Sequence, residues 1–119
     1  VSAFDENCHT YYLFPDRPGS LELILADNSP DPLSVTVVRY GPKGPAKLKM
    51  ISPSGKGGAE MAISDSNGPA QSLTVKVKGQ GKPGAPVKWK LVVSEGQQDG
   101  WELFLSRPLL VTADRRVVK

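Results

Sequence analysis

The feature that most constrains this chain is its punctuation. Twelve glycines and eleven prolines are scattered through 119 residues. They gather at Pro15–Gly19, Pro30–Pro32, Gly41–Pro45, Pro53–Gly58 and Gly79–Pro86, with the turn-forming run Asp65–Gly68 among them. Proline removes a backbone donor and glycine relaxes the backbone, so each cluster ends a regular element. The segments left between clusters are too short for helices of ordinary length but suit strands. Turn signals at such close intervals, with no crossover helix between the runs, predict an all-β fold: an antiparallel β-sandwich of seven to ten short strands in a single domain over residues 1–119.

The runs themselves alternate with a period of two, which sends successive side chains to opposite faces. Expected strands are Thr10–Phe14, Ser20–Ala26, Leu33–Tyr40, Ala46–Ile51, Ala59–Ser64, Gln71–Lys78, Val87–Ser94, Trp101–Ser106 and, after an interruption at Pro108, Leu109–Thr112. The inward phase predicts a core containing Leu23, Val35, Val37, Leu48, Leu73, Val75, Val77, Trp89, Leu91 and Leu103. Asp65-Ser66-Asn67-Gly68 reads as the turn of a hairpin, and the run from Val87 is expected to pair with the run from Trp101. Residues 1–9 and 113–119 read as extended arms, the latter holding Val117 and Val118.

Charge is unevenly spread. Residues 1–42 hold two arginines against six carboxylates, residues 43–90 hold nine lysines against two, and the rest balances, for a net +3. Lys47, Lys49, Lys76, Lys78, Lys88 and Lys90 all fall on the outward phase of their strands, which predicts a basic sheet surface. Lysines also keep strand faces soluble and protect edges, so the pattern has a purely structural explanation as well. As a binding surface it points away from nucleic acid, whose readers use arginine and aromatic stacking platforms. An acidic protein, further copies of this chain or an anionic polysaccharide suits a field of lysine point charges.

Little here supports catalysis. His9 is the single histidine, and no Gly-x-Ser-x-Gly elbow accompanies it. One His and one Cys do not make a transition-metal site, and no cofactor is expected. Asp27, Asn28 and Asp31, or Asp65 and Asn67, carry oxygen atoms of the kind calcium takes, but Asx side chains in turns ordinarily cap their own backbone. Gly79-Gln80-Gly81-Lys82 lacks the spacing and the following helix of a phosphate loop. Cys8 has no intrachain partner, which leaves a packed thiol or an intermolecular disulfide. Trp89 and Trp101 follow the core phase, Tyr11, Tyr12 and Tyr40 are alternatives for a sugar-facing platform, and Tyr40 is expected to be exposed. The longest apolar run, Leu23 to Ala26, cannot insert into a membrane as a helix.

The run Tyr11-Tyr12-Leu13-Phe14, through Gly19 to Leu21-Glu22-Leu23, resembles the opening of β-sandwich modules that follow secreted bacterial peptidases. It lacks the acidic pair those modules carry before the tyrosine, and no site residue is carried over. The absence of an initiator Met at Val1 fits removal of a secretory leader. The expected function is that of a non-catalytic interaction subunit in an exported or cell-surface assembly, with periplasmic residence an alternative. A filament or pilus component docking on a separate helical, acidic subunit is one form, using the six lysines together with Val117 and Val118. The competing expectation is a secreted module that binds carbohydrate or an anionic matrix.

Overall fold

The computed structural model of the chain describes residues 7–13, 21–40, 43–63, 70–97 and 100–114. Among these are eight strands and no helix: β1 (Asn7–Leu13), β2 (Leu21–Asp27), β3 (Leu33–Tyr40), β4 (Lys43–Ile51), β5 (Ala59–Ile63), β6 (Ala70–Val77), β7 (Val87–Gln97) and β8 (Gly100–Asp114). All ladders are antiparallel, in the order β5-β4-β7-β2-β8-β3-β6, with β1 added to β8. The fold is an antiparallel β-sandwich, as the alternation predicts.

Two layers arise from one hydrogen-bonded path because β8 belongs to both. Leu103 pairs with Val37 on one edge and Tyr11 on the other, whereas Leu110 pairs with Ala26 on one edge and Asn7 on the other. Strands β3 and β2 therefore follow one another along the same edge of β8. The strand passes from the β3–β6 layer into the β2–β7–β4–β5 layer, and strands that switch sheets in this way do so at bulges or bends. The bulge lies where β1 advances two residues, Cys8 to Thr10, while β8 advances five, Leu109 to Phe104. Strand β6 comes back alongside β5, so the two layers nearly close on each other.

The core between the layers follows the inward phase of each strand. Tyr11, Leu23, Leu25, Leu33, Val35, Val37, Leu48, Met50, Leu73, Trp89, Leu91, Leu103 and Val111 form one buried cluster with their neighbours, and every residue of the expected core is in it. Tyr11 donates its hydroxyl to the Leu109 carbonyl at 2.6 Å, which seats a polar atom in the interior without leaving it unpaired. The Trp89 indole N–H is buried with no acceptor among the described residues, and nothing in the geometry accounts for it.

Three expectations need correction. Pro108 does not end a strand: β8 is continuous from Gly100 to Asp114. Pro108 falls in the stretch where β8 has left β3 and not yet met β2, so its missing N–H is not required by any ladder. Strands β7 and β8 do not pair, because β2 is inserted between them in the sheet. Nor does β5 form a ladder with β6 among the described residues; it pairs with β4, and β6 pairs with β3. The runs from Val87 and Trp101 were separated by β2 because the layers exchange strands through β8, a long-range constraint with no local signature. Of the expected arms at 1–9 and 113–119, residues 7–9 belong to β1 and 113–114 to β8; residues 1–6 and 115–119, with Val117 and Val118, lie outside the described residues, as do the Asp65–Gly68 turn and the side chains of Cys8, Tyr12, Tyr40 and Trp101.

The bend in β8 is held by an ion pair. Arg107 lies on the inward phase between Leu105 and Leu109, and Asp27, the last residue of β2, is fully buried. The guanidinium meets the carboxylate in a fork, Nη2 at 2.8 Å from Oδ2 and Nε at 3.1 Å from Oδ1. Nη1 also donates to the Pro32 carbonyl at 2.8 Å and Nη2 to the Asp31 carbonyl at 3.0 Å. One side chain thus ties the end of β2, the β2–β3 loop and the middle of β8. Removing one partner of such a pair strands a buried charge, so Arg107→Ala is expected to lower unfolding free energy by about 3–5 kcal/mol in urea titrations. Arg107→Lys should recover only part, since a single ammonium does not reproduce the fork. Leu91→Ala, in the centre of β7, is expected to cost about 2–5 kcal/mol by the same measurement.

Candidate partner-binding face

The outward phase of β4, β7, β2 and the second half of β8 forms a surface on which aliphatic side chains surround the Lys90–Glu22 ion pair. Register places Ile51, Lys90, Ile24 and Thr112 in one row across the four strands. The next row in one direction is Lys49, Val92 and Glu22, and in the other Lys88, Ala26 and Leu110. Ile24, Ala26, Ile51, Val92 and Leu110 are only partly covered. Beside this surface, residues Lys49–Ser52 and Gly58–Glu60 line an open groove of about 470 Å³.

Lysines stand within and beside these rows, and they are not equivalent. Lys90 Nζ lies 2.9 Å from Glu22 Oε1, a carboxylate oxygen that is itself buried. The two form an ion pair in which Lys90 balances a nearly buried acid. Lys47 Nζ lies 3.0 Å from Glu60 Oε1 with both side chains about half exposed, an ion pair worth about 0–1 kcal/mol. Lys49 and Lys88 are exposed and outside the ion pairs found among the described residues.

All six lysines singled out from the sequence are on outward phases, but the structure does not gather them. Lys47, Lys49, Lys88 and Lys90 sit on the adjacent strands β4 and β7. Lys76 and Lys78 sit at the end of β6 and just beyond it, at the other end of the strand order, with Lys76 opposite Ser34. The aliphatic rows were not singled out, although a signal existed. Leu23-Ile24-Leu25-Ala26 is apolar on both phases, and a strand apolar on both faces is one whose outer face is at least partly covered.

Other sequence features have structural duties. Asp27 Oδ1 accepts from the Ser29 amide at 3.3 Å, and Ser29 Oγ from the Asp31 amide at 3.1 Å, so this turn caps itself while Arg107 takes the buried carboxylate. His9 Nδ1 lies 3.3 Å from the Leu105 carbonyl. Trp89 and Tyr11 are fully buried, and Phe104 is the exposed aromatic among the described residues, at 38%. Among those residues, no group of three His, Cys, Asp or Glu is arranged to hold a metal, and no helix is long and apolar enough to cross a membrane.

No family model and no curated protein matches the chain. Among solved structures it is similar to TmCBM61, a carbohydrate-binding module determined in complex with β-1,4-galactotriose, with 17% identity and a TM-score of 0.46. That alignment covers 82% of this chain and 68% of the other.

The division among the lysines is testable by stability. Lys90→Met leaves the Glu22 carboxylate uncompensated and is expected to cost about 1–3 kcal/mol in denaturant unfolding. Lys49→Met and Lys88→Met should stay within about 0.5 kcal/mol of the parent.

Proposed function

We propose that this protein is a non-catalytic interaction subunit that docks, through the outer face of β4, β7 and β2, onto an acidic protein partner within an exported or cell-surface assembly such as a filament or pilus. The observation that carries the reading is the set of partly covered aliphatic side chains, Ile24, Ile51 and Val92, around Lys90, with Lys49 and Lys88 exposed beside them and outside the ion pairs found among the described residues. Protein interfaces have an apolar centre and a polar rim, and rim charges select the partner and speed its approach. An acidic helix laid across the strands would bring apolar side chains to the isoleucines and carboxylates to the lysines. A separate helical, acidic subunit is the partner that fits these two requirements together.

Photo-crosslinkers placed at Ile51 and Thr112, in the protein expressed in its native source, are expected to capture an acidic partner in an adduct that a crosslinker at Thr74 does not form. The double variant Lys49→Glu plus Lys88→Glu should keep the parent's thermal unfolding and lose the adduct. Adducts only with basic proteins, or an unchanged adduct in the double variant, would refute the reading.

A second reading, a carbohydrate-binding module, is favoured by a different surface. Phe104, 38% exposed, lies in a row with Thr36, Thr74 and Thr10 on the outer side of the other layer. An exposed ring among hydroxyls is a stacking platform of the kind sugars use. Calorimetry with galactan and other plant and microbial glycans would then show binding that Phe104→Ala abolishes and the Lys49 and Lys88 reversals leave intact.

A further inference from the structure

The loops at one end of the sandwich carry a charge that the docking face does not use. The β2–β3 loop (28–32), the β4–β5 loop (52–58) and the β6–β7 loop (78–86) meet there and are bound to one another. The Gly79 amide donates to the Asp31 carbonyl at 3.1 Å, and Gln80 Nε2 donates to the Lys56 carbonyl at 2.9 Å. A Cβ added to Gly81 would fall 1.9 Å from the Asp27 carbonyl oxygen, so the third loop lies directly on the first, an approach only glycine allows. Within the third loop Lys82 and Ala85 exchange backbone bonds around Pro83-Gly84, with Gly84 at φ +78° as a type II turn requires. The second loop is drawn in by Ser52, whose hydroxyl donates to the Lys56 carbonyl at 2.6 Å and accepts from the Lys56 amide at 3.2 Å. The cap is therefore pre-organised.

Its charges are nearly all of one sign. Lys56, Lys78 and Lys82 project from the loops and are exposed, and Lys76 stands at the end of β6 beside them. None of the four belongs to an ion pair among the described residues. Of the two aspartates at this end, Asp27 is fully buried and taken by Arg107, which leaves Asp31 as the exposed carboxylate. The ion pair that holds the β8 bend thereby strips this end of half its negative charge.

We infer that this loop cap is a second binding surface, for an acidic polysaccharide carrying carboxylate or sulfate groups. The composition of the loops selects that class. They hold serine, glycine, proline, asparagine and glutamine between the lysines, with no large apolar or aromatic side chain. Nothing there enters hydrocarbon as a membrane-docking tip does. Nothing stacks on nucleobases, and the arginine of this region is already engaged. There is no apolar centre on which a protein interface would build. Lysine charges with exposed amide and hydroxyl groups such as Gln80 and Ser54 match a hydroxylated polyanion, since such charges are forgiving of geometry. The surface is separate from the one proposed to dock a protein, and a subunit held by its β4–β7–β2 face would keep this end outward.

The test compares the whole protein with Lys56→Gln/Lys78→Gln/Lys82→Gln, and with Lys47→Gln/Lys49→Gln as a control, on immobilised heparin and on soluble polygalacturonate. Parent and control are expected to bind both at about 50 mM salt and to weaken steeply as salt rises, whereas the triple variant, melting at the parent temperature, should lose about tenfold or more in affinity. No binding by the parent at low salt, or a triple variant that elutes with the parent, would overturn the inference. Duplex DNA and vesicles containing phosphatidylserine are the remaining arms. If either binds as tightly as the polysaccharides, the end is a general cation exchanger and the inference fails.

Discussion

The structure depends on the Arg107–Asp27 pair at the bend of β8. A sandwich whose two layers share a strand must turn that strand through a corner, and at the corner the ladder on one edge is interrupted between Leu105 and Leu110. Backbone groups there lose their regular partners. Arg107 substitutes for the missing ladder by bonding at once to a buried carboxylate and to two carbonyls of the adjoining loop. Its five donors in a rigid plane are what the task requires. A hydrophobic residue at position 107 would fill the volume but leave the buried Asp27 carboxylate with only the Ser29 amide on Oδ1 and nothing on Oδ2 among the described residues, and a buried group left unpaired costs about 1–3 kcal/mol, more when it is charged.

The two ends of the argument about charge meet at this pair. With Asp27 consumed by Arg107 and Glu22 by Lys90, the acidic first third of the chain contributes little negative charge to the described surface. The lysines of the middle third are left to define it. They do so in two places, around the aliphatic residues of β4, β7 and β2 and over the loop cap, because Lys47, Lys49, Lys88 and Lys90 lie on the outward phase of β4 and β7 whereas Lys56, Lys78 and Lys82 lie in the loops. A basic region that looks like one patch along the chain becomes two surfaces with different chemistry, one with aliphatic side chains and one without.

What the amino-acid sequence determined by itself was the phase of each strand and the places of most turns, though β4 runs through Pro45 and β8 through Pro108. Leu23 and Leu25, Leu73 and Val75, or Trp89 and Leu91 are inward because a pleated strand alternates and only one face is buried; that rule needs no partner strand. Turn residues act locally in the same way, so Leu33–Tyr40 could be bounded from its flanking prolines and glycines alone. The outward phase of all six lysines follows from the same alternation. Only the tertiary structure decided which strands lie side by side, and with that which outward residues share a face. Pairing depends on how β8 crosses between layers, on a bulge opposite Cys8–Thr10 and on an ion pair between residues eighty positions apart in sequence. None of these leaves a periodic trace. Pro108 read in isolation ends a strand; in the folded molecule it sits at the one stretch of β8 that asks for no donor.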